Sequence, residues 1–155
     1  AHWFRRLGSP RHVLAPMVDQ SEASFRVLCS RHATPLAFTP MISSKQLASS
    51  ASYRSTVLDD LPACPSSEAR PVVAQLAGND PDLLLHAAKL VQGRCEAVDI
   101  NLGCPQKIAK RGRYGAWLLE ETELIERMIG TLHCREHAPP LRPLAQALCR
   151  FKRFV

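Results

Sequence analysis

The chain has 155 residues, enough for one domain with a real core, and its apolar share of 46% is that of a globular protein rather than a disordered one. No run approaches the roughly 18 continuous apolar residues that a spanning helix needs, so no membrane span is expected. The formal charge of +6 sits at the two ends: residues 1–13 hold three Arg and no acid, residues 131–155 hold five Lys or Arg against one Glu, and the body between is nearly neutral, with twelve basic and thirteen acidic residues.

The opening "AHWFRRLGSPRHVLAPM" has no initiator Met and no apolar stretch of signal-peptide length, so it reads as the inside of a longer product. Six cysteines, at 29, 64, 95, 104, 134 and 149, show no CxxC pairing, which suits reduced thiols in an intracellular protein, cytoplasmic with the nucleus as the alternative. His133, Cys134 and His137 in "HCREH" lack a second ligand pair, so a surface segment is expected there and no metal.

Short apolar runs alternate with helical patterns four times. The run "HVLAPMV" (12–18) precedes "SEASFRVLCSRH", where Ser21 can cap a helix whose Phe25, Leu28 and Cys29 share one face. "PLAFTPMIS" (35–43) precedes the short segment "SKQLASSASYR". "RPVVAQLAG" (70–78) leads into "NDPDLLLHAAKLVQG", with Asp80 as cap, Pro81 at the first helical position and Gly93 as the stop. "CEAVDINLG" (95–103) leads through a basic loop into "GAWLLEETELIERMIGTL", whose Trp117, Leu118, Leu124, Ile125, Met128 and Ile129 form one stripe. After residue 131 the pattern fails, and a divergent basic tail is expected, poorly ordered or as a helix on the surface.

Strand and helix in alternation imply parallel pairing through right-handed crossovers, in a flat doubly wound sheet or in part of a (β/α)8 barrel. The dinucleotide signature G-x-G-x-x-G is absent after the first strand, where "APMVDQ" stands, which weakens the flat-sheet option. In either layout the carboxyl ends of the strands meet at one face. Gathered there would be Ala15 to Val18, Thr39 to Ser43, Gln75, and Asn101 to Pro105. Along the fourth strand Val98, Ile100 and Leu102 point one way and Asp99 and Asn101 the other, and polar groups on an inner face need a reason.

Cys104 stands on a loop between Gly103 and Pro105. A lone cysteine is usually a small buried hydrophobe, but an ordinary thiol is protonated at pH 7 and can act as a general acid. Spacing alone leaves acid, nucleophile and bystander open. Lys107, Lys110, Arg111 and Arg113 cluster just beyond with no acid among them, as a solvated loop or as a patch that faces phosphates.

The segment "DINLGCPQKIAKRGRYGAWLL" resembles the central signature of the tRNA dihydrouridine synthases, with Asn-x-Gly-Cys-Pro followed by Gly-Ala-x-Leu-Leu. "LAPMVDQSEASFRVLCSRH", "FTPMISSKQL" and "PVVAQLAGNDPDLLLHAAKLV" are similar to further family motifs and fall in order, so that the resemblance runs from about residue 11 to 129. It looks closest to the eukaryotic branch that acts on uridines 16 and 17 of the tRNA D-loop. What it implies is the N-terminal half of an FMN-binding (β/α)8 TIM barrel, with NADPH or NADH as reductant and a hydride delivered to C6 of a flipped-out uracil in tRNA. By this resemblance Cys104 gives the proton to C5, Pro16, Met17 and Val18 line the flavin ring, Gln75 bonds its edge, and Asn101 holds the uracil. The same resemblance would set Lys107, Lys110, Arg111 and Arg113 near the RNA backbone.

The division expected is an N-terminal extension (1–10), a partial barrel (11–130) and the tail (131–155). Four strands stand where the family has eight, and the later flavin contacts have no counterpart after residue 130, so a truncated product is expected. Two unpaired sheet edges imply self-association of such a chain. The alternative to the enzyme is a non-catalytic isoform that keeps the site's sequence and serves, if at all, as an interaction protein.

Overall fold

The computed structural model describes residues 2–63, 68 and 71–133. In chain order the elements are α1 (His2–Arg6), β1 (Val13–Leu14), α2 (Ala23–Arg31), β2 (Leu36–Phe38), β3 (Ile42–Ser43), α3 (Ser44–Ser49), α4 (Ala51–Asp60), β4 (Val72–Ala77), α5 (Pro81–Val91), β5 (Ala97–Ile100), α6 (Lys107–Gly112), a 3-10 turn (Gly115–Leu118) and α7 (Thr122–His133).

All strand pairs are parallel: β1 with β2, β2 and β3 with β4, and β4 with β5. Val73 pairs with both Phe38 and Ala97, and Leu76 with both Ile42 and Ile100, so β2 and β3 share one edge of β4 and β5 takes the other. They are two pieces of one strand position. Four residue steps from Phe38 to Ile42 stand against three from Val73 to Leu76, so Thr39-Pro40-Met41 contains one residue too many for the ladder. The four positions then follow one another in chain order. Consecutive right-handed crossovers stack every helix on one face, whereas a doubly wound sheet reverses direction at a switch point.

The two faces are chemically different. Toward the helices, Val72, Ala74 and Leu76 of β4 and Ile100 of β5 pack in one core with Leu47, Leu84, Ala87, Ala88, Val91, Ile125 and Met128. Val98 and Leu102 join its margin, as the alternation along the fourth strand predicts. The opposite face carries a small cluster of Leu36, Val73 and Ala97, with Leu7 from the chain just beyond α1 and Phe38 against it.

Local chemistry explains most element ends. Asp80 Oδ1 accepts from the amides of Asp82 and Leu83 at 2.9 and 3.0 Å, Pro81 opens α5, and Gly93 follows its end at φ +80°. Elsewhere the sequence-based expectations need correction. Ser21 does not cap α2; its hydroxyl bonds the backbone of Met17 instead, at 3.0 Å. The capping carboxylate is remote, Asp60 Oδ1 at the end of α4, which accepts from Ala23 N–H at 2.7 Å. Phe25 is 40% and Leu28 50% exposed on α2, while Arg26 is buried. Its guanidinium donates to Ser21 O at 2.6 Å and Asp60 Oδ2 at 2.8 Å, so the helix is pinned through an ion pair rather than through an apolar stripe.

The segment after the second strand continues to Asp60 as two helices, broken at Ser50, whose hydroxyl caps α4 by accepting from Tyr53 N–H. The expected basic loop is largely the helix α6. The stripe drawn from Trp117 to Ile129 is interrupted between the 3-10 turn and α7, so Leu118, Ile125 and Met128 are buried while Trp117 is exposed. Of the cysteines, Cys29 and Cys104 are free thiols, and no metal-binding group occurs among the described residues. Cys64, Cys134, His137, Cys149 and nearly all of the expected tail lie outside the described residues.

Candidate active site

Alternation along β4 and β5 turns Gln75 and Asp99 to the face away from the helices, directly paired in register, and Asn101 follows one residue beyond β5. Gln75 and Asp99 are both buried. Burying a carboxylate and an amide together is costly unless each finds a partner. They find each other: Gln75 Nε2 donates to Asp99 Oδ2 at 2.7 Å. Gln75 Oε1 accepts from Asn101 Nδ2 at 2.9 Å. Asn101 Oδ1 in turn accepts from Gly103 N–H at 3.2 Å and Cys104 N–H at 3.0 Å. The Gln75 backbone amide donates to Thr39 Oγ1 at 3.1 Å, and that hydroxyl donates to Pro40 O at 2.8 Å.

Burial is the main influence on Asp99 and pushes its carboxyl above the ordinary range, opposed by the hydrogen bonds from Gln75 and from the Ile100 backbone. After these bonds Gln75 keeps one amide hydrogen and one acceptor lone pair without a partner among the described residues. A ring edge that alternates acceptor and donor, such as that of a flavin or a pyrimidine, fits this remainder.

Cys104 is half-buried at the end of the relay. Its carbonyl accepts from Ala116 N–H at 3.1 Å. Gly115 sits at φ +69°, where a Cβ would stand 2.6 Å from the Cys104 carbonyl oxygen and 2.9 Å from its Cβ. The Gly-Ala of the sequence therefore marks a close packing of two backbone turns, with the thiol loop on one side. Tyr114 lies beside it; burial first, then Cys104 and Tyr53, raise its phenol further above the usual value. It is a neutral hydroxyl at pH 7.

The cations are not equivalent. Lys107, Lys110 and Arg111 lie on α6 at helical spacing, and Arg113 caps it in the left-handed region at φ 49°. Lys110 Nζ stands 4.7 Å from the centroid of the Trp117 ring. Arg113 is paired with Glu121 at 2.7 Å. Lys107 and Arg111 are exposed and have no carboxylate partner among the described residues.

Pro16, Met17 and Val18 follow β1, with Met17 held by Ser21 on both its amide and its carbonyl. Val18 is exposed and lines a cavity of about 240 Å³ with Thr39, Met41, Ile42, Tyr53 and Val57. Gln75, Asn101 and Cys104 do not line it, so Thr39 is the link between this cavity and the relay. The structure thus joins Gln75, Asn101 and Cys104 in one network and sets Val18 apart from it. The roles of Asp99 and Thr39 escaped the sequence reading; the polar alternation at 99 and 101 was the signal for the first.

A single parallel sheet with its polar residues gathered at the strand ends defines an α/β site of the barrel type. The family model for dihydrouridine synthase (Dus) matches residues 13–140, and the chain belongs to that family. Its fold is accordingly the N-terminal part of a (β/α)8 barrel. The match reaches into the segment from 131 that the sequence reading set apart.

Over 130 residues the chain is 51% identical to tRNA-dihydrouridine(16/17) synthase [NAD(P)(+)] of Saccharomyces cerevisiae, covering 84% of this chain and 30% of that protein. A Rattus norvegicus protein named tRNA-dihydrouridine(16/17) synthase [NAD(P)(+)]-like is 50% identical over 137 residues, 88% of this chain and 31% of its own length. The tRNA-dihydrouridine(20a/20b) synthase [NAD(P)+]-like protein of Mus musculus is 35% identical over 127 residues, 82% and 38%. The chain therefore spans about 30% of the length of the 16/17 relatives.

Proposed function

We propose that the chain carries part of the catalytic site of a tRNA dihydrouridine synthase that reduces D-loop uridines, at positions 16 and 17, to dihydrouridine. The observation that carries this reading is the relay from Gln75 through Asn101 to the Cys104 loop, set at the ends of parallel strands. The higher identity to the 16/17 proteins than to the 20a/20b protein supports the choice of uridines.

FMN, kept reduced by NADPH or NADH, would supply the hydride for C6 of the uracil. The chain's own residues do the rest. The free amide hydrogen and lone pair of Gln75 bind the flavin edge, and the chain at Pro16, Met17 and Val18 lies along its ring. Asn101 orients the uracil. The Cys104 thiol holds a proton at Sγ and gives it to C5, so the base gains one hydride and one proton and the thiolate is left to be reprotonated from water. Lys107, Lys110, Arg111 and Arg113 face the phosphates of a tRNA whose target base has left its stack. No helix among the described residues is long and apolar enough to cross a membrane. Free thiols at Cys29 and Cys104 support an intracellular setting, cytoplasmic or nuclear.

A second reading is favoured by the sheet itself: among the described residues β1 and β5 each pair on one edge only. A non-catalytic chain that associates through those edges would look the same. One experiment separates the two. The purified chain and its Cys104→Ala variant are compared for visible flavin absorbance and for dihydrouridine formed in tRNA. The enzyme reading expects a flavin band in both and product only with Cys104. A colourless, inactive chain would leave the second reading standing.

A further inference from the structure

The relay that ends at Cys104 begins at a residue to which the proposed chemistry gives no part. Asp99 touches neither the thiol nor the loop that carries it. Its only side-chain partner among the described residues is Gln75 Nε2, at 2.7 Å. Yet the two amides between Asp99 and the Cys104 loop can each be oriented in two ways, and the ends of the chain of bonds decide which. At one end an ionised carboxylate can only accept. At the other, the backbone N–H groups of Gly103 and Cys104 can only donate. With Gln75 presenting Nε2 to Asp99, its Oε1 must meet Asn101 Nδ2, and Asn101 Oδ1 is then left for the two loop amides. Flipping Gln75 alone sets like against like at two contacts, and flipping Asn101 alone does so at three. The orientation is cooperative along the whole path.

We infer that Asp99 is a positioning residue: it fixes the direction of the Gln75–Asn101 amide relay and through it the backbone of the Cys104 loop. The groups that act on its carboxylate are Gln75 from β4 and the Ile100 N–H from β5, and the hydroxyl of Thr39, the residue just after β2, holds the Gln75 backbone from the other side. The free hydrogen and lone pair of Gln75 are aimed by the same bond, so a ring placed on Gln75 and a thiol placed by Asn101 share one point of reference. The functional meaning rests on Cys104 being the proton donor of the proposed reaction. The relay itself is a property of the chain and is tested without cofactor or RNA.

The test is a pH titration of the intact chain followed by NMR on the side-chain amides of Gln75 and Asn101 and the backbone amides of Gly103 and Cys104. The expected result is that all four move with one common midpoint, and that Asp99→Asn abolishes that titration while the remaining spectrum stays folded. A Gln75 signal that titrates while Asn101 and Cys104 stay still would overturn the inference, because burial of Asp99 alone would then account for it. A second measurement needs only dilute protein: the rate of Cys104 alkylation, resolved by peptide mass spectrometry against Cys29 and Cys95. Asp99→Leu and Asn101→Ala should each raise the Cys104 rate several-fold, and the double variant should add nothing beyond Asn101→Ala. Equal rates in Asp99→Leu and the unmodified chain, or full additivity in the double variant, would also sink it. Absence of flavin or of turnover leaves these readouts intact, so failure of the enzyme reading and failure of the relay are told apart.

Discussion

Asp99 is a carboxylate kept inside at a cost, and its pH dependence shows the sign. Burial raises its native value above the unfolded one. A group of that kind stabilises the fold in its protonated form; the contribution is complete below the ordinary carboxylate range and is lost as pH rises through the raised native value. Asp99→Asn should therefore melt at a higher temperature than the parent chain at pH 7, with the gain shrinking as pH falls toward 4 in a series of thermal melts. Gly115→Ala should do the reverse at every pH. A side chain at φ +69°, 2.6 Å from the Cys104 carbonyl oxygen, should cost about 1–3 kcal/mol by denaturant titration and displace the thiol loop. The sequence displayed Gln75, Asn101 and Cys104 as polar residues at strand ends because the alternation of a strand is local. It could not display that Asp99 and Gln75 stand abreast, because the register between strands 24 residues apart is set by packing.

Helices whose signals are contained in a few neighbouring residues follow the sequence well. The Asp80-Pro81 start of α5 is such a case, and Asp80→Ala should remove about 1 kcal/mol in a melt, since two amides lose their acceptor. α2 is the opposite case. Asp60 both caps it and pairs with its buried Arg26, so the face shared by Phe25, Leu28 and Cys29 says less about its placement than this remote ion pair does. α6 shows a third behaviour, in which a run of cations is read as a loop but its spacing builds a face. On that face Lys107 and Arg111 have no carboxylate partner among the described residues, while Arg113, which caps the helix, is held by Glu121. Lys107→Ala and Arg111→Ala should each weaken tRNA binding and reduce the salt slope by about 1, and Arg113→Ala should change it less. Binding curves at several salt concentrations would check the order.

As a whole, the described chain has a finished helix-side core and an unfinished perimeter. Two sheet edges are unpaired among the described residues, and Phe25 and Leu28 of α2 are about half exposed. Edges and apolar patches of this kind favour association. We expect concentration-dependent self-association by analytical ultracentrifugation, and a Leu28→Lys variant that associates less without a lower melting temperature, because the side chain it replaces is already half exposed. A monomer at all concentrations would count against this.

The supernumerary residue in Thr39-Pro40-Met41 has its own consequence. In an unbroken strand Phe38 and Ile42 would have the same parity and lie on the same side of the sheet. Counted through the extra residue they do not: Phe38 stays with Val73 and Leu7, while Ile42 crosses to the helix layer beside Leu47 and Leu76. The first half of this strand position thus packs in the small cluster on the far face, and the second half anchors α3 through Ile42 and Leu47. Removing Met41 would leave three steps from Phe38 to Ile42, equal to those from Val73 to Leu76, so Ile42 would keep its register opposite Leu76 and its place in the helix layer while the bulge itself would be lost. What the extra residue adds is a break in the ladder just where Thr39 Oγ1 accepts from the Gln75 backbone amide.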